Sequence, residues 1–185
     1  MVRVEDLNIT FFHVAKNAGS SIARWLEDNV NGDQYHEDLR HGSPDRLRSL
    51  FDDYGWKFCC VRNPWDRIVS WYEFFNKQGR VNCNFSTFLE RSYEQKANNA
   101  KVFKPLDNQI NFTKHCDYVM RYENLEEDFK VVQQKVNCFK PLKTFNASDR
   151  SFKTYVDYYT DTRYIDIVRT KHREEIKQLG YEFGG

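Results

Sequence analysis

The chain has 185 residues, of which 40% are hydrophobic and 16% aromatic, and this content excludes an intrinsically disordered chain. Its 28 Lys and Arg residues and 27 Asp and Glu residues leave a net charge of +1, which argues against broad electrostatic binding to nucleic acid or to a membrane surface. Any site for an anion must therefore be local.

Nothing in the sequence predicts membrane insertion or export. The chain has no run of about 18 apolar residues, and Met1 is followed by a charged segment at positions 3–6 rather than by an apolar signal core. The five cysteines include the neighbours Cys59 and Cys60, which lie in a strand-like run and should point to opposite faces as reduced, packed thiols. We therefore expect a soluble, cytoplasmic protein without disulfides.

The first half of the chain alternates predicted strands and helices. Apolar runs at residues 9–14 and 56–61 predict buried strands. Helical spacing begins at Ser21, at Ser43 and again at Pro64, where a proline suits the first helical turn. This order favours parallel strands joined by right-handed crossovers.

The second half predicts fewer regular elements. These are a strand at 117–121, a helix over 125–136 and a last helix over 162–179 that ends at Gly180. The stretches 78–109 and 140–161 are polar and show no clear period. The whole chain is therefore predicted to form a single α/β domain over residues 1–185.

The first candidate site is the segment that joins the first strand to its helix. Small residues at a helix N-terminus leave backbone N–H groups and the positive end of the helix dipole available to an anion. The segment supplies a mobile charge, small residues and hydroxyl donors, in the order Lys16, Ala18, Gly19, Ser20 and Ser21. It is not a Walker A motif, in which Lys stands directly before Ser or Thr. A capped helix with a surface lysine is an equally good interpretation of this segment alone.

A second segment favours the anion-site interpretation over the capped helix with a surface lysine. Residues 59–72 read Cys-Cys-Val-Arg-Asn-Pro-Trp-Asp-Arg-Ile-Val-Ser-Trp-Tyr, and together with residues 12–21 they resemble the two donor-binding segments of the PAPS-dependent sulfotransferases. PAPS is 3′-phosphoadenosine-5′-phosphosulfate. The similarity is to the carbohydrate-type branch, in the manner of a short soluble bacterial or viral member. It continues at 120–129 and 179–183, so it spans nearly the whole chain.

The resemblance implies a fold, a donor and a set of site residues. The fold would be P-loop NTPase-like, with three layers and a central parallel sheet flanked by helices. PAPS would be the donor and PAP, the 3′,5′-bisphosphate, the product, and no metal would be required. The 5′-phosphosulfate would be held by Lys16, Asn17, Ala18, Gly19, Ser20 and Ser21, and the 3′-phosphate by Arg62 and Ser70. Lys16 would also stabilise the leaving group.

The same resemblance points to a base and to an acceptor. Relatives commonly carry a basic residue, a histidine and a small residue before a helix cap, which His41 matches, and His36 would be a possible assistant. The acceptor would be a hydroxyl or amine, in a carbohydrate or a small alcohol. Gln109 would contact the acceptor, and the stretch 146–155 would close over the nucleotide.

Three other functions stay open at this point. The chain could be a P-loop-type nucleotide kinase or NTPase, since one fold hosts many functions. It could also be a non-catalytic nucleotide-binding relative, or an interaction protein in which the two motifs are coincidental. The sequence does not determine the acceptor or the oligomeric state.

Overall fold

A computed structural model describes residues 1–34, 41–47, 53–94, 108–145 and 150–185. The chain divides into two compact units, the first made of Met1–Arg62 and Gln109–Ala147, and the second of Asn63–Asn108 and Ser148–Gly185. The prediction of a single domain over residues 1–185 stays a prediction.

The described strands form one sheet, which belongs to the first unit. They are β1 (Val2–Val4), β2 (Ile9–Phe12), β3 (Asp33–Gln34), β4 (Trp56–Val61) and β5 (Tyr118–Arg121), in the spatial order β3-β1-β2-β4-β5. The centre, β2-β4-β5, is parallel as predicted, but β1 pairs antiparallel with both β2 and β3. The predicted central parallel sheet is therefore confirmed, and the sequence did not predict the antiparallel strands β1 and β3 at its edge. The connection of four residues between β1 and β2 permits only a hairpin.

Strand β1 is not apparent in the sequence, because its middle residue is charged. Arg3 is nevertheless only 7% exposed. Its guanidinium donates to the hydroxyl of Thr10 at 3.2 Å, to the backbone oxygen of Tyr54 at 3.0 Å and to Oδ1 of Asn8 at 2.5 Å. These bonds offset the cost of burying the charge, so a strand that appears polar in the sequence lies inside.

Eight α-helices lie in the described parts of the chain. They are α1 (Gly19–Val30), α2 (Pro44–Leu47), α3 (Pro64–Lys77), α4 (Phe85–Glu94), α5 (Ile110–Thr113), α6 (Leu125–Val136), α7 (Thr162–Lys171) and α8 (Arg173–Leu179). Short 3₁₀ turns add Tyr122–Asn124 and Val156–Tyr158. Nowhere in these ranges does a helix combine the length and the apolar character needed to span a bilayer.

The core of the first unit lies between one face of the sheet and the helices α1 and α6. The cluster includes Phe11, Phe58, Cys60 and Met120 from the strands, together with Ile22, Leu26, Phe129 and Val132 from the helices. Cys59, next to Cys60 in β4, is also fully buried, and the hydrogen bond with Cys116, followed by burial, raises the pKa of its thiol. All five cysteines lie in the described residues as free thiols, and Cys59 and Cys60 are packed as expected.

The second unit is built around α3. Asn63 caps this helix by accepting a hydrogen bond from the backbone N–H of Trp65 at 3.1 Å, and Pro64 follows at the first helical position, as predicted. The indole of Trp65 is buried and donates to the backbone oxygen of Ile165 in α7 at 3.1 Å. The cap and the buried indole together position the start of α3.

Two helical predictions in the second unit need correction. Helix α4 falls within the stretch 78–109 that showed no clear period. It is capped by the side chain of Asn84, which accepts from the backbone N–H of Thr87 at 2.9 Å. The predicted last helix is divided into α7 and α8 because His172 turns inward, where its ring meets the hydroxyl of Tyr93 at 2.9 Å and a carboxylate oxygen of Glu175 at 3.3 Å. Gly180 ends α8 with a φ of 67°, as predicted.

Candidate active site

The loop between β2 and α1 is held by one buried asparagine. Lys16 and Ala18, on either side of it, have φ angles of 70° and 58°, a left-handed conformation that few residues with a side chain adopt. Asn17 is fully buried, and its Nδ2 donates to the backbone oxygen of Cys60 at 2.8 Å and to Oε1 of Gln109 at 2.5 Å. Its side chain therefore ties the loop to the end of β4, and any phosphate contact by this residue would come from its backbone N–H.

Gly19 has a second role besides letting backbone approach a ligand. A Cβ atom at this position would lie 1.9 Å from Cδ2 and 2.0 Å from Nε2 of His13. His13 is 3% exposed and directly follows β2. The missing side chain at Gly19 thus makes room for the buried imidazole.

The N-terminus of α1 has no side-chain cap, and its predicted use as an anion site stays a prediction. Ala18 occupies the N-cap position and has no side-chain group to cap the helix. Backbone N–H groups at an uncapped helix start attract an anion. Ser21, one of the predicted hydroxyl donors, has its Oγ beside the backbone of Phe145, from which it accepts at 2.9 Å and to which it donates at 3.4 Å.

Arg62 brings a second positive charge near Lys16, in the loop that precedes α1. Arg62, at the end of β4, is 3% exposed, and its Nη1 donates to the backbone oxygen of Lys16 at 3.0 Å. The guanidinium carbon lies 3.8 Å from the ring centroid of Tyr122. Burial, and secondly the charge of Arg62, lower the pKa of Lys16 to about 8. Two neighbouring cations favour an anionic ligand, which would relieve their repulsion.

Gln109 does not have the role that the sequence suggested. It is fully buried, its Oε1 accepts from the backbone N–H of Arg62 at 2.9 Å, and its Nε2 donates to the backbone oxygen of the same residue at 2.8 Å. A side chain enclosed in this way cannot contact an acceptor substrate. Tyr122 was not identified from the sequence as a contact of Arg62. No local sequence pattern indicates this contact or the hydrogen bonds between Gln109 and Arg62.

His41 is positioned as a candidate base. Its Nδ1 lies 3.1 Å from the backbone oxygen of His13, and the two imidazole rings meet edge to face with centroids 4.5 Å apart. Because a carbonyl oxygen can only accept, Nδ1 carries the proton in this bond, which leaves Nε2 with a lone pair in the neutral ring. The residue is exposed, so a substrate can reach it.

The helix that follows His41 is fixed by ion pairs within the first unit. Asp45 in α2 meets the ammonium group of Lys114 at 2.5 Å and Nε2 of His115 at 2.7 Å. These contacts lower the pKa of the Asp45 carboxyl, with the hydrogen bond from Lys114 as the largest cause. His36, the expected assistant, lies outside the described residues.

Ser70, the last predicted donor-binding residue, lies in α3 of the second unit and is 5% exposed. Two buried carboxylates share its helical face. Asp66 accepts from Arg150 at 2.6 Å, and Glu73 accepts from the backbone N–H of Ser151 at 3.0 Å. The segment that begins at residue 150 is therefore fastened to α3 on both sides of Ser70, and its predicted closure over a nucleotide stays a prediction.

The described residues contain no cluster of His, Cys, Asp or Glu side chains that would bind a metal ion. Lys16, Arg62 and the start of α1 supply positive charge, and His41 supplies a basic nitrogen. Such a set can bind a phosphate or sulfate group and accept a proton.

Comparison with known proteins identifies the family. The chain matches the model of the sulfotransferase family over residues 1–182, a range that includes both motifs and Gln109. An uncharacterized protein of Archaeoglobus fulgidus is 33% identical to the chain over 109 residues, which cover 57% of this chain and 88% of that protein. The chain therefore belongs to the sulfotransferase family.

Proposed function

We propose that this chain transfers a sulfuryl group from PAPS to an acceptor hydroxyl and releases PAP. The observation that carries this proposal is the proximity of two cations, Lys16 and Arg62, beside the uncapped start of α1: the Arg62 guanidinium donates to the backbone oxygen of Lys16 at 3.0 Å. The pair suits a ligand with more than one anionic group, because neighbouring like charges repel each other and an anion bound to both relieves that repulsion. A nucleotide with phosphates on both ends of its ribose satisfies this requirement.

Each part of the donor has candidate partners in the chain. Lys16, Gly19 and Ser20 would bind the 5′-phosphosulfate, together with the backbone of Asn17, Ala18 and Ser21. Arg62 and Ser70 would bind the 3′-phosphate. A guanidinium binds phosphate oxygens through two parallel hydrogen bonds, which supports Arg62 in this role.

The transfer itself would depend on positioning and charge. PAPS supplies a sulfuryl group whose bond to the 5′-phosphate breaks as the acceptor oxygen bonds to sulfur. Lys16 would stabilise the negative charge that develops on the departing phosphate oxygen, and this interaction is strongest in a site with little water. Nε2 of His41 would take the acceptor proton, as its tautomer allows. The acceptor would be a carbohydrate or a small alcohol.

A nucleotide kinase or NTPase is the alternative function. The lysine of a Walker A loop directly precedes a Ser or Thr at the helix start, whereas Lys16 lies three residues before the start of α1 at Gly19. A non-catalytic relative would keep the nucleotide site and have no use for a histidine held in one tautomer.

Calorimetric titration with PAP, ATP and 5′-AMP tests the proposal. We expect PAP to bind at least about 10-fold more tightly than 5′-AMP, since one charge-assisted contact to the extra phosphate contributes about 1.5–3 kcal/mol. Arg62→Ala should remove this preference. Arg24→Ala, which removes an exposed arginine of α1 that pairs with Asp28, is the matched control and should bind like the wild type. Equal or tighter binding of ATP, unaffected by Arg62→Ala, would contradict the proposal and favour a kinase.

A further inference from the structure

Gln109 joins two predicted phosphate-binding elements through one buried amide. Its Oε1 accepts from Nδ2 of Asn17, in the loop before α1, and from the backbone N–H of Arg62, at the end of β4. Its Nε2 donates to the backbone oxygen of Arg62. Asn17 and Gln109 are 92 residues apart in the chain, and Arg62 and Gln109 are 47 apart.

These bonds extend the sheet beyond its last strand pair. The ladder between β4 and β5 ends where Val61 pairs with Arg121. Arg62 is the next residue, and the side chain of Gln109 pairs with both its N–H and its C=O, as a neighbouring strand would. The backbone that carries the guanidinium is thereby fixed to the sheet.

The amide also fixes how far Arg62 lies from the loop. The side chains of Asn17 and Gln109 are both fully buried, so a shift of either partner would leave a polar group without water. Because breaking this hydrogen bond is costly, Asn17 and Gln109 stay at a constant distance from each other. The loop with Lys16 and the end of β4 with Arg62 therefore behave as one rigid piece.

A fixed separation matters only for a ligand that contacts both elements. When a ligand has two phosphates, binding of the first places the second at a high effective concentration, provided that the two subsites are held at the matching distance. A ligand with a single phosphate gains nothing from this geometry. The bonds of Gln109 should therefore affect the two kinds of ligand differently.

We propose that Gln109 is a positioning residue that sets the distance between the two phosphate subsites of the donor site and so makes the chain selective for a bisphosphorylated nucleotide. The inference rests on the proposed function, because it requires that Lys16 and Arg62 bind the two ends of one nucleotide. Gln109 touches neither end. It acts through the backbone of Arg62 and the amide of Asn17.

The test compares PAP, 5′-AMP and 3′-AMP in calorimetric titrations of the wild type and Gln109→Met, a change of similar volume that removes all three hydrogen bonds. We expect the affinity for PAP to fall about 10-fold or more, and that for each single-phosphate nucleotide to fall less than about 3-fold. Gln133→Met is the control, since the side chain of Gln133 also bonds to a backbone oxygen, that of Lys140 at 2.6 Å, and should leave all three affinities unchanged.

Asn17→Ala provides a second variant in case Gln109→Met does not fold. It removes the bond from the loop to Gln109, and with it the bond from Asn17 to the backbone oxygen of Cys60, while both bonds between Gln109 and Arg62 remain. It should cause the same selective loss of PAP affinity. Equal losses for all three nucleotides, or no loss for PAP, in the folded variants would overturn the role of Gln109. If the wild type binds PAP no better than 5′-AMP, the proposed function fails as well, and that result is visible before any variant is made.

Discussion

The guanidinium of Arg62 donates a hydrogen bond to the backbone oxygen of Lys16 across 3.0 Å, although 46 residues separate the two in the chain. The contact joins the end of β4 to the loop after β2. It brings a second positive charge close to the Lys16 ammonium group, whose pKa is lowered to about 8 by burial and by Arg62. The affinity of this site for a nucleotide should therefore depend on pH and on substitutions that affect either cation.

The affinity for PAP should fall as the pH rises above 8. A bound phosphate favours the charged form of Lys16, so binding raises the pKa of this group above its value of about 8 in the free protein. Between the two pKa values, binding takes up a proton, and the affinity should fall by up to about tenfold per pH unit. Well below pH 8 Lys16 is already charged, and its contribution to the affinity is fully present.

Calorimetry from pH 7 to pH 9.5 measures this dependence, in a range where the phosphates of PAP are fully ionised. Repeating each titration in two buffers of different ionisation enthalpy counts the protons taken up. Lys16→Arg is the matched variant, because a guanidinium stays charged throughout and should give a flat profile. A flat profile for the wild type would show that Lys16 does not bind the nucleotide.

Replacing Tyr122 should weaken nucleotide binding without unfolding the protein. The ring lies 3.8 Å from the guanidinium carbon of Arg62 and holds this cation by its negative face. Tyr122→Leu should cost about 1 kcal/mol, or roughly a fivefold rise in the Kd for PAP. Tyr122→Phe keeps the ring and should bind PAP like the wild type. Equal weakening in both variants would assign the effect to the hydroxyl instead of to the ring.

Most of what the sequence predicted correctly depends on local pattern. The apolar run at residues 56–61 and the helical spacing over 125–136 match β4 and α6 residue for residue. The small residues before α1 also form the expected turn, because each of these features is determined by neighbours in the chain. A helix N-terminus next to a lysine is therefore visible in the sequence.

The features that were missed depend on distant partners. Arg3 appears polar in the sequence, yet it is buried because Thr10 and Tyr54 accept its hydrogen bonds. The amide of Gln109 reaches Asn17 over 92 residues, and no periodicity reports such a pair. The contacts that position the two cations are of this second kind, so the sequence identified the charged groups and not what holds them in place.

His41 should affect turnover and leave nucleotide binding intact. Its Nδ1 donates a hydrogen bond to the backbone oxygen of His13, so Nε2 is the nitrogen that can take a proton from the acceptor substrate. His41→Asn keeps a donor for that oxygen and removes the base. We expect turnover of PAPS to fall by about 10²–10⁴-fold.

A screen of pooled alcohols and sugars, with release of PAP as the signal, would provide the acceptor needed for this measurement. The calorimetric Kd for PAP should change by less than about twofold in the same variant, because His41 is not among the nucleotide contacts. Near-normal turnover would remove His41 from the role of base. A large loss of PAP affinity would instead show that the variant disturbs the loop that follows His13.

Adding a single methyl group at Gly19 should destabilise the first unit. The new Cβ would lie 1.9 Å from the imidazole of His13, which is 3% exposed and has little room to move. Overpacking of this kind costs about 1–3 kcal/mol in the free energy of unfolding, which urea denaturation would measure for Gly19→Ala. Gly19 does not have a left-handed φ, so steric contact, rather than backbone strain, is the expected cause.

The double variant Gly19→Ala/His13→Ala separates the two causes. Removing the imidazole opens space for the new methyl group, so the added cost of Gly19→Ala should nearly disappear in the His13→Ala background. If the cost persists there, the backbone conformation at Gly19 is responsible and the packing explanation is wrong. Because His13 also supplies the oxygen that orients His41, the same cycle measured on turnover would show how far this packing contact supports the candidate base.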